Sequence, residues 1–401
     1  MYDVLIVGSG AGGLFASANL RTHNALLLDQ SPQPGKKLLI TGSGMCNLTN
    51  TLSPKAFLAH FGGKDQRNFL LPALENFPPA SLRKWFEQRG LALMIREDGK
   101  VFPSSQDARD VRTLLVREGK AELITDARVS AIVRNDEGFT ITSTKGVFQA
   151  RKILLATGGM SYPRTGSDGS GYALAKQLGH TIVPTRPALS AISIEAYPYR
   201  ALAGNAVRSV FVEFFHQGEA KRYRSDIGDV LFTHDGLSGP VILTASREIQ
   251  KHDVIKLTLV PASNRQAAHV EMEQILLSKQ AKQVSTLLKQ AGLFSALVQE
   301  LLSQAGLADD ITTSALNKHQ RLDLTNRITN HSLTVASVKG FSSAMVTRGG
   351  VALQEVNRKT MESLIQPGLF VCGEILDYDG ESGGFNLQAA FSTAYLACQS
   401  L

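Results

Sequence analysis

Tyr2-Asp3-Val4-Leu5-Ile6-Val7-Gly8-Ser9-Gly10-Ala11-Gly12-Gly13 opens the chain and decides the fold. An apolar, β-branched run meets a glycine turn directly, and Leu14-Phe15-Ala16-Ser17-Ala18-Asn19-Leu20 then reads as helix. Gly8, Gly10 and Gly13 fill G-x-G-x-x-G in the strand–turn–helix context that the motif requires. Gly8 permits the turn, Gly10 lets a pyrophosphate approach the backbone, and Gly13 lets helix and strand pack closely. The helix N-terminus offers N–H groups without intrahelical partners, Ala11 and Gly12 among them, and a partial positive charge. A second strand, Ala25–Leu28, ends on Asp29, at the spacing of an acid that binds a ribose hydroxyl. This unit binds a dinucleotide.

Working outward, the chain alternates in texture. Residues 68–118 read as mostly helical, broken at Pro78-Pro79 and at Gly99. Leu123–Val133 and Phe139–Thr144 read as strands around a turn-rich Asn135–Gly138, and Ile153–Ala156 as a buried strand ending in Thr157-Gly158-Gly159. Between 188 and 262, short β-like runs predict a small antiparallel sheet or barrel. Residues 266–305 carry helical periodicity. The β/α texture returns at Thr334, with a strand Leu369–Val371 running into Cys372-Gly373-Glu374 and a last helix Asn386–Gln399 behind Gly383-Gly384. The expected organisation is a discontinuous nucleotide domain (1–187 and 336–401), a β-barrel insertion (188–265 and 323–335) and a nested helical insertion (266–322).

Composition sets limits. The 401 residues allow two or three domains. At 43% hydrophobic and 19% charged, the chain reads as an ordinary globular protein. No run of eighteen apolar residues predicts a membrane span, and the chain enters its first strand without a basic, signal-like leader, so a cytoplasmic location is expected. Cys46, Cys372 and Cys398 are too few for a disulfide framework and lack metal-ligand spacing; they are expected as reduced thiols, with no metal. The net charge of +7 is concentrated in residues 1–185, which hold 22 Lys and Arg against 15 Asp and Glu. Such an excess suits a solvated surface compensating a bound dinucleotide, and equally an anionic substrate or RNA.

The far end of the chain identifies the dinucleotide. Gly373-Glu374 after a strand, followed by a helix whose N-terminus would face a flavin pyrimidine ring, fits FAD better than a nicotinamide cofactor alone. Several longer motifs carry a resemblance. They are Gly35-Lys36-Lys37-Leu38, Thr41-Gly42-Ser43-Gly44-Met45-Cys46-Asn47-Leu48-Thr49-Asn50, Val101-Phe102-Pro103, and Ala156-Thr157-Gly158-Gly159 with Ser161-Tyr162-Pro163. Leu231 to Pro240 and Gly373 to Gln388 complete them. With these motifs the chain resembles, nearly end to end, the BaiN/RdsA-like (YhiN-like) NAD(P)/FAD-dependent oxidoreductases.

The resemblance implies an α/β fold: a glutathione-reductase-like FAD domain of Rossmann type carrying a β-barrel insertion with a nested helical domain. It implies non-covalent FAD, NAD(P)H as a transient reductant, and cofactor contacts from Gly8, Gly10, Ala11, Gly12, Gly13, Asp29, Gln30, Lys36, Lys37, Thr41, Gly42, Ser43, Gly44 and Asn47. Further contacts are implied at Val129, Ala156, Thr157, Gly158, Gly159, Gly373, Glu374, Asp377, Gly384, Phe385, Asn386 and Leu387. Many relatives have Gly-Gly-Gly-Arg-Cys-Asn where this chain has Gly42-Ser43-Gly44-Met45-Cys46-Asn47, so Met45 removes a cation and Ser43 a loop glycine.

Two residues are candidates for chemistry. Cys46 would supply a proton when hydride adds to an activated C=C bond, or would simply pack the loop. His234, in Phe-Thr-His-Asp-Gly, would act as acid or base, or be satisfied within its own turn. Three functions remain open. The first is reduction of an activated C=C, with uridine in ribosomal RNA among its substrates. The second is oxidation of a small amine or amino-ketone by O2. The third is a non-catalytic, flavin-bearing RNA-binding factor.

Overall fold

The computed structural model describes residues 1–277 and 281–401. The chain divides into two compact units, Met1–Ala188 with Phe341–Leu401, and Leu189–Gly340.

The first unit is built on a seven-stranded sheet. The opening strand Tyr2–Val7 pairs in parallel with Ala25–Leu28 on one side and with the second half of Gly146–Leu155 on the other. Glu122–Ile124 extends the sheet beyond Ala25–Leu28, and Leu369–Val371 extends it beyond Ile153–Leu155, both in parallel. The first half of Gly146–Leu155 pairs instead with an antiparallel meander, Val129–Asn135 and Gly138–Ser143. Parallel strands covered on both faces are buried throughout, which explains the unbroken apolar reading of Val4–Val7, Ala25–Leu28 and Ile153–Leu155. Their carboxyl ends place Gly8, Asp29, Ala156 and Gly373 along one edge, where the chain leaves the central strand in opposite directions. Open α/β sheets bind their ligands at such an edge.

Two helices lie against each other on this sheet, Ala11–Asn19 and Phe385–Cys398. Their close approach needs small residues. A Cβ on Gly12 would come within 3.4 Å of Cys372 Sγ and 3.8 Å of Ala390 O. Phe15 anchors the contact, with its ring 4.8 Å from Phe391, 4.7 Å from Trp85 and 5.5 Å from Phe77. Residues 68–118 depart from the helical expectation. Lys64–Asn76, Pro79–Glu87 and Ala108–Arg117 are helices, but Leu93–Ile95 and Lys100–Pro103 form a hairpin that pairs onward with Thr49–Asn50.

The second unit is a closed six-stranded barrel of antiparallel strand pairs. Its strands are Ile192–Ile194, Gly236–Ser238, Arg224–Phe232, Ala206–Phe215, Val254–Pro261 and His331–Val338. Helices Arg265–Leu276, Val284–Gln290, Ser295–Gln304 and Lys318–Thr329 share its apolar core through Met272, Leu288, Leu301 and Leu324. The boundaries differ from the sequence reading: the fourth helix crosses residue 322, and the last barrel strand runs three residues past 335.

Candidate FAD site

The glycine turn has opposite demands within six residues. Gly8 has φ +103°, and a Cβ there would meet Ala156 O at 2.6 Å. A Cβ on Gly13 would overlap Gly8 O at 1.8 Å. A Cβ on Gly10 would point into open space, with no atom of the packed neighbours within 4 Å. The turn is therefore packed shut at its two ends and open in the middle, at the N-cap of helix Ala11–Asn19, which has no side-chain cap. That opening fits an anion held by the first-turn N–H groups.

Further atoms at the strand ends fit the same ligand. Thr157 Oγ1, Ser167 Oγ and Gln30 Oε1 are buried without a hydrogen-bond partner. Buried polar atoms normally find one, and a dinucleotide rich in hydroxyls and phosphate oxygens supplies it. Asp29 accepts from Ser9 N–H and Oγ (2.5 and 2.7 Å) and from Ser31 N–H (2.7 Å), which fixes its carboxylate beside the turn. Gln30 donates to Gly166 O (2.6 Å). Val129 begins the meander strand paired with Ser143. The residues present thus fit FAD, whose pyrophosphate the turn would hold and whose adenosine ribose Asp29 would bind.

The opposite end is built by two segments. In Thr41–Asn47, Gly42, Ser43 and Gly44 are all left-handed (φ +55°, +57° and +87°), and Gly42 and Ser43 are exposed. A left-handed L-residue costs roughly 1–2 kcal/mol, which is the strain Ser43 carries in this loop. Thr41 Oγ1 donates to Leu38 O (2.6 Å). The Asn47 amide satisfies both its ends when its oxygen accepts from Gly384 N–H (3.1 Å) and its nitrogen donates to Thr49 O (3.0 Å). This joins the loop to the cap of helix Phe385–Cys398. Gly384 caps that helix at φ +86°, where a Cβ would strike Thr49 O at 2.6 Å. Asn386 accepts from Gly380 N–H and donates to Gly380 O, pinning the approach to the helix, and Leu387 is half-buried in its first turn.

The charged candidates work through one another. Lys37 Nζ is 2.8 Å from Glu374 Oε2 and 2.5 Å from Ser161 Oγ. Glu374 Oε1 accepts from Thr347 N–H (2.8 Å) and Ser161 Oγ (3.0 Å). A Cβ on Gly159 would lie 3.0 Å from the same Oε1. Glu374 is therefore a strut between three segments as well as a candidate ligand. Lys36 Nζ donates to Arg164 O (2.9 Å). Burial, then the Asp379 charge, raises the Asp377 carboxyl, against Arg348 and Gly349 N–H. Gly158 turns at φ +72° beside Ser167.

The two catalytic candidates are placed otherwise than expected. Cys46 has no exposed surface, lies in the main apolar core, and burial pushes its thiol up to about 12. A side chain without accessible surface touches neither flavin nor substrate, so Cys46 packs the loop rather than donating a proton. His234 is exposed in the turn between barrel strands Arg224–Phe232 and Gly236–Ser238, while its neighbour Asp235 pairs with Lys339 (2.6 Å). One histidine escaped the sequence reading. His60 Nδ1 lies 2.7 Å from Glu381 Oε2, and its ring stacks on Phe385 at 4.2 Å and 20°. Glu381 N–H also donates to His60 O (3.0 Å). The pairing joins residues 321 apart, so no local pattern announces it.

Among known proteins, the ribosomal RNA dihydrouridine synthase of Escherichia coli (strain K12) is 30% identical over 411 aligned residues, covering all of this chain and 98% of that protein. The 3-dehydro-bile acid delta(4,6)-reductase of Clostridium scindens is 32% identical, covering 99% of this chain and 98% of its own. In fold, the chain is similar to the 3-ketosteroid-delta4-(5alpha)-dehydrogenase from Rhodococcus jostii RHA1, with a TM-score of 0.53 at 16% identity over 99% of this chain and 96% of that one. The dinucleotide crevice and these full-length likenesses make the protein an FAD-dependent oxidoreductase. It belongs to the HI0933-like family, whose model, the HI0933-like protein Rossmann domain, matches residues 2–400.

Proposed function

We propose that the protein reduces an activated C=C bond, drawing hydride from NAD(P)H by way of FAD. The observation that carries this is the pair of relatives aligned over the whole chain. One is named for making dihydrouridine and the other for a delta(4,6)-reduction, and both names describe saturating a C=C bond conjugated with a carbonyl. Bound FAD supplies the hydride relay. The protein's own part is to hold the ring end between the left-handed loop Gly42–Gly44 and the N-terminus of helix Phe385–Cys398, and to provide a proton.

With Cys46 sealed in the core, His60 takes the proton role in this reading. Glu381 orients its Nδ1, Phe385 fixes the ring plane, and Nε2, on a side chain 35% exposed, is left to meet a substrate. The Lys and Arg excess of residues 1–185 supports uridine in RNA as the first substrate class to try.

The test is anaerobic. The FAD-loaded protein is reduced with NADPH or NADH, then mixed with uridine-containing RNA, a cyclic enone, or O2. Reoxidation driven by RNA or enone, with a saturated product, is expected. Rapid reoxidation by O2 with stoichiometric peroxide would overturn the proposal in favour of an oxidase. His60→Ala is expected to slow reoxidation by the C=C substrate about 10²- to 10⁴-fold, with FAD content kept and partial rescue by added imidazole. An unchanged rate would remove His60 from the mechanism.

A further inference from the structure

The hairpin Leu93–Pro103 delivers a cation to the loop Thr41–Asn47. Arg96 N–H donates to Lys100 O (2.9 Å), and Gly99, at φ +78°, closes the turn. The Arg96 guanidinium carbon sits 4.1 Å from the centre of the Phe102 ring. Its Nη2 is 3.3 Å from Met45 Sδ. Phe102 in turn lies under the glycine turn, since a Cβ on Gly42 would be 3.3 Å from Phe102 Cε1. Guanidinium, ring and left-handed turn therefore form one continuous contact.

The groups in direct contact with this guanidinium, a ring face and a thioether, are uncharged. Among the described residues no carboxylate approaches Arg96 within 4.0 Å. Its own hairpin carries two acids, Glu97 and Asp98; Asp98 pairs with Lys100 at 2.6 Å and feels Arg96 only as a more distant charge. Arg89, in the turn after helix Pro79–Glu87, shows the ordinary arrangement: it too lies over an aromatic ring, Trp85, but pairs with Glu118 at 3.2 Å. A half-buried guanidinium held by a ring face and a thioether keeps most of its five donors unspent, in the fork geometry that matches an oxyanion.

We propose that Arg96 is an anion-binding residue at the flavin-edge loop, receiving a carboxylate or phosphate oxygen of the substrate. The hairpin thus brings a cation to a loop, Thr41–Asn47, that carries none of its own. The inference rests on the reading that residues 41–47 border the flavin ring, and it makes substrate charge a determinant of specificity: neutral C=C compounds lack the group that Arg96 holds.

Inorganic phosphate and benzoate serve as probes. FAD-loaded wild-type protein is titrated with each at constant ionic strength, reading the flavin absorbance band, alongside Arg96→Met and Arg96→Lys. The methionine variant keeps apolar contact with Met45 and Phe102 and removes only the charge. Wild type is expected to show a saturable perturbation that weakens at least about tenfold in Arg96→Met, the loss of one charge-assisted hydrogen bond, and is partly retained in Arg96→Lys. Stronger binding of phosphate assigns the site to a phosphodiester, and stronger binding of benzoate to a carboxylate. Equal affinity in wild type and Arg96→Met, or no saturable perturbation in wild type, overturns the proposal while FAD content leaves the flavoprotein reading standing. A wild-type chain that takes up no FAD overturns that reading itself, and this inference with it.

Discussion

Gly10 and Gly13 stand three residues apart and answer to different constraints. At Gly13 the protein itself forbids a side chain, because a Cβ would overlap Gly8 O. At Gly10 the protein leaves space, so whatever forbids a side chain there is the ligand. Gly13→Ala is expected to destabilise the fold, by 1–3 kcal/mol or more as overpacking does (about the usual range). Gly10→Ala is expected to unfold like wild type and to lose FAD affinity by about tenfold or more, since only pyrophosphate approach is blocked. Denaturant melts and FAD titrations of the two variants check this, and equal FAD affinity in wild type and Gly10→Ala would sink the assignment. The motif was legible in sequence because its spacing is local. Cys46 was not legible in the same way: its residue type suggested proton chemistry, but its burial is set by neighbours far along the chain.

Elements were readable where burial runs uniform along them. The strands of the central sheet and the last helix carry uniform burial that a sequence pattern reports directly. The hairpin Leu93–Pro103 was hidden because its strands have three and four residues, too few to display a period of two. Its partner is the two-residue strand Thr49–Asn50, more than forty positions earlier, and only that pairing makes it sheet. The hairpin is also what carries Arg96, so the misread element is the one that adds a new group to the site. Helix Ala11–Asn19 illustrates the converse. Nine residues make a marginal helix alone, and packing of Phe15 against Trp85, Phe77 and Phe391 supplies the stability. Phe15→Ala is expected to cost about 3–5 kcal/mol. Trp85 is the only tryptophan and its ring lies 4.7 Å from Phe15, so its fluorescence during chemical unfolding reads the loss directly. A change below about 1 kcal/mol, the typical surface or mild-substitution range, would contradict this role.

At the scale of the whole molecule, the discontinuity of the first unit was legible from its two ends. Leu369–Val371 reads as a buried strand, and it pairs in parallel with Ile153–Leu155, far earlier in the chain. The junctions were less legible, because helix Lys318–Thr329 and strand His331–Val338 follow each other across one residue with no glycine or proline between them. That junction holds a titratable group the chemistry does not use. Tyr199 Oη lies 2.9 Å from His331 Nε2, and His331 Nδ1 lies 3.1 Å from Arg327 O. The carbonyl can only accept, so Nδ1 carries the hydrogen and Nε2 accepts from the tyrosine: a neutral imidazole with both nitrogens satisfied. Burial lowers its pKa to about 4, against about 6.5 when unfolded. Above about pH 6.5 both states are neutral and pH has no effect through this group. As pH falls from there to about 4, the unfolded chain gains a proton that the folded one refuses, so stability drops, by at most about 3 kcal/mol. His331→Gln is expected to flatten that part of the profile. Since Trp85 lies in the first unit and His331 in the second, the loss belongs to the barrel. Amide exchange in strand His331–Val338 is expected to accelerate between pH 6.5 and 4.5 beyond the intrinsic trend in wild type and not in the variant. Tryptophan fluorescence is expected to hold in both. Parallel exchange profiles for wild type and His331→Gln would show that this histidine does not set the acid sensitivity of the barrel.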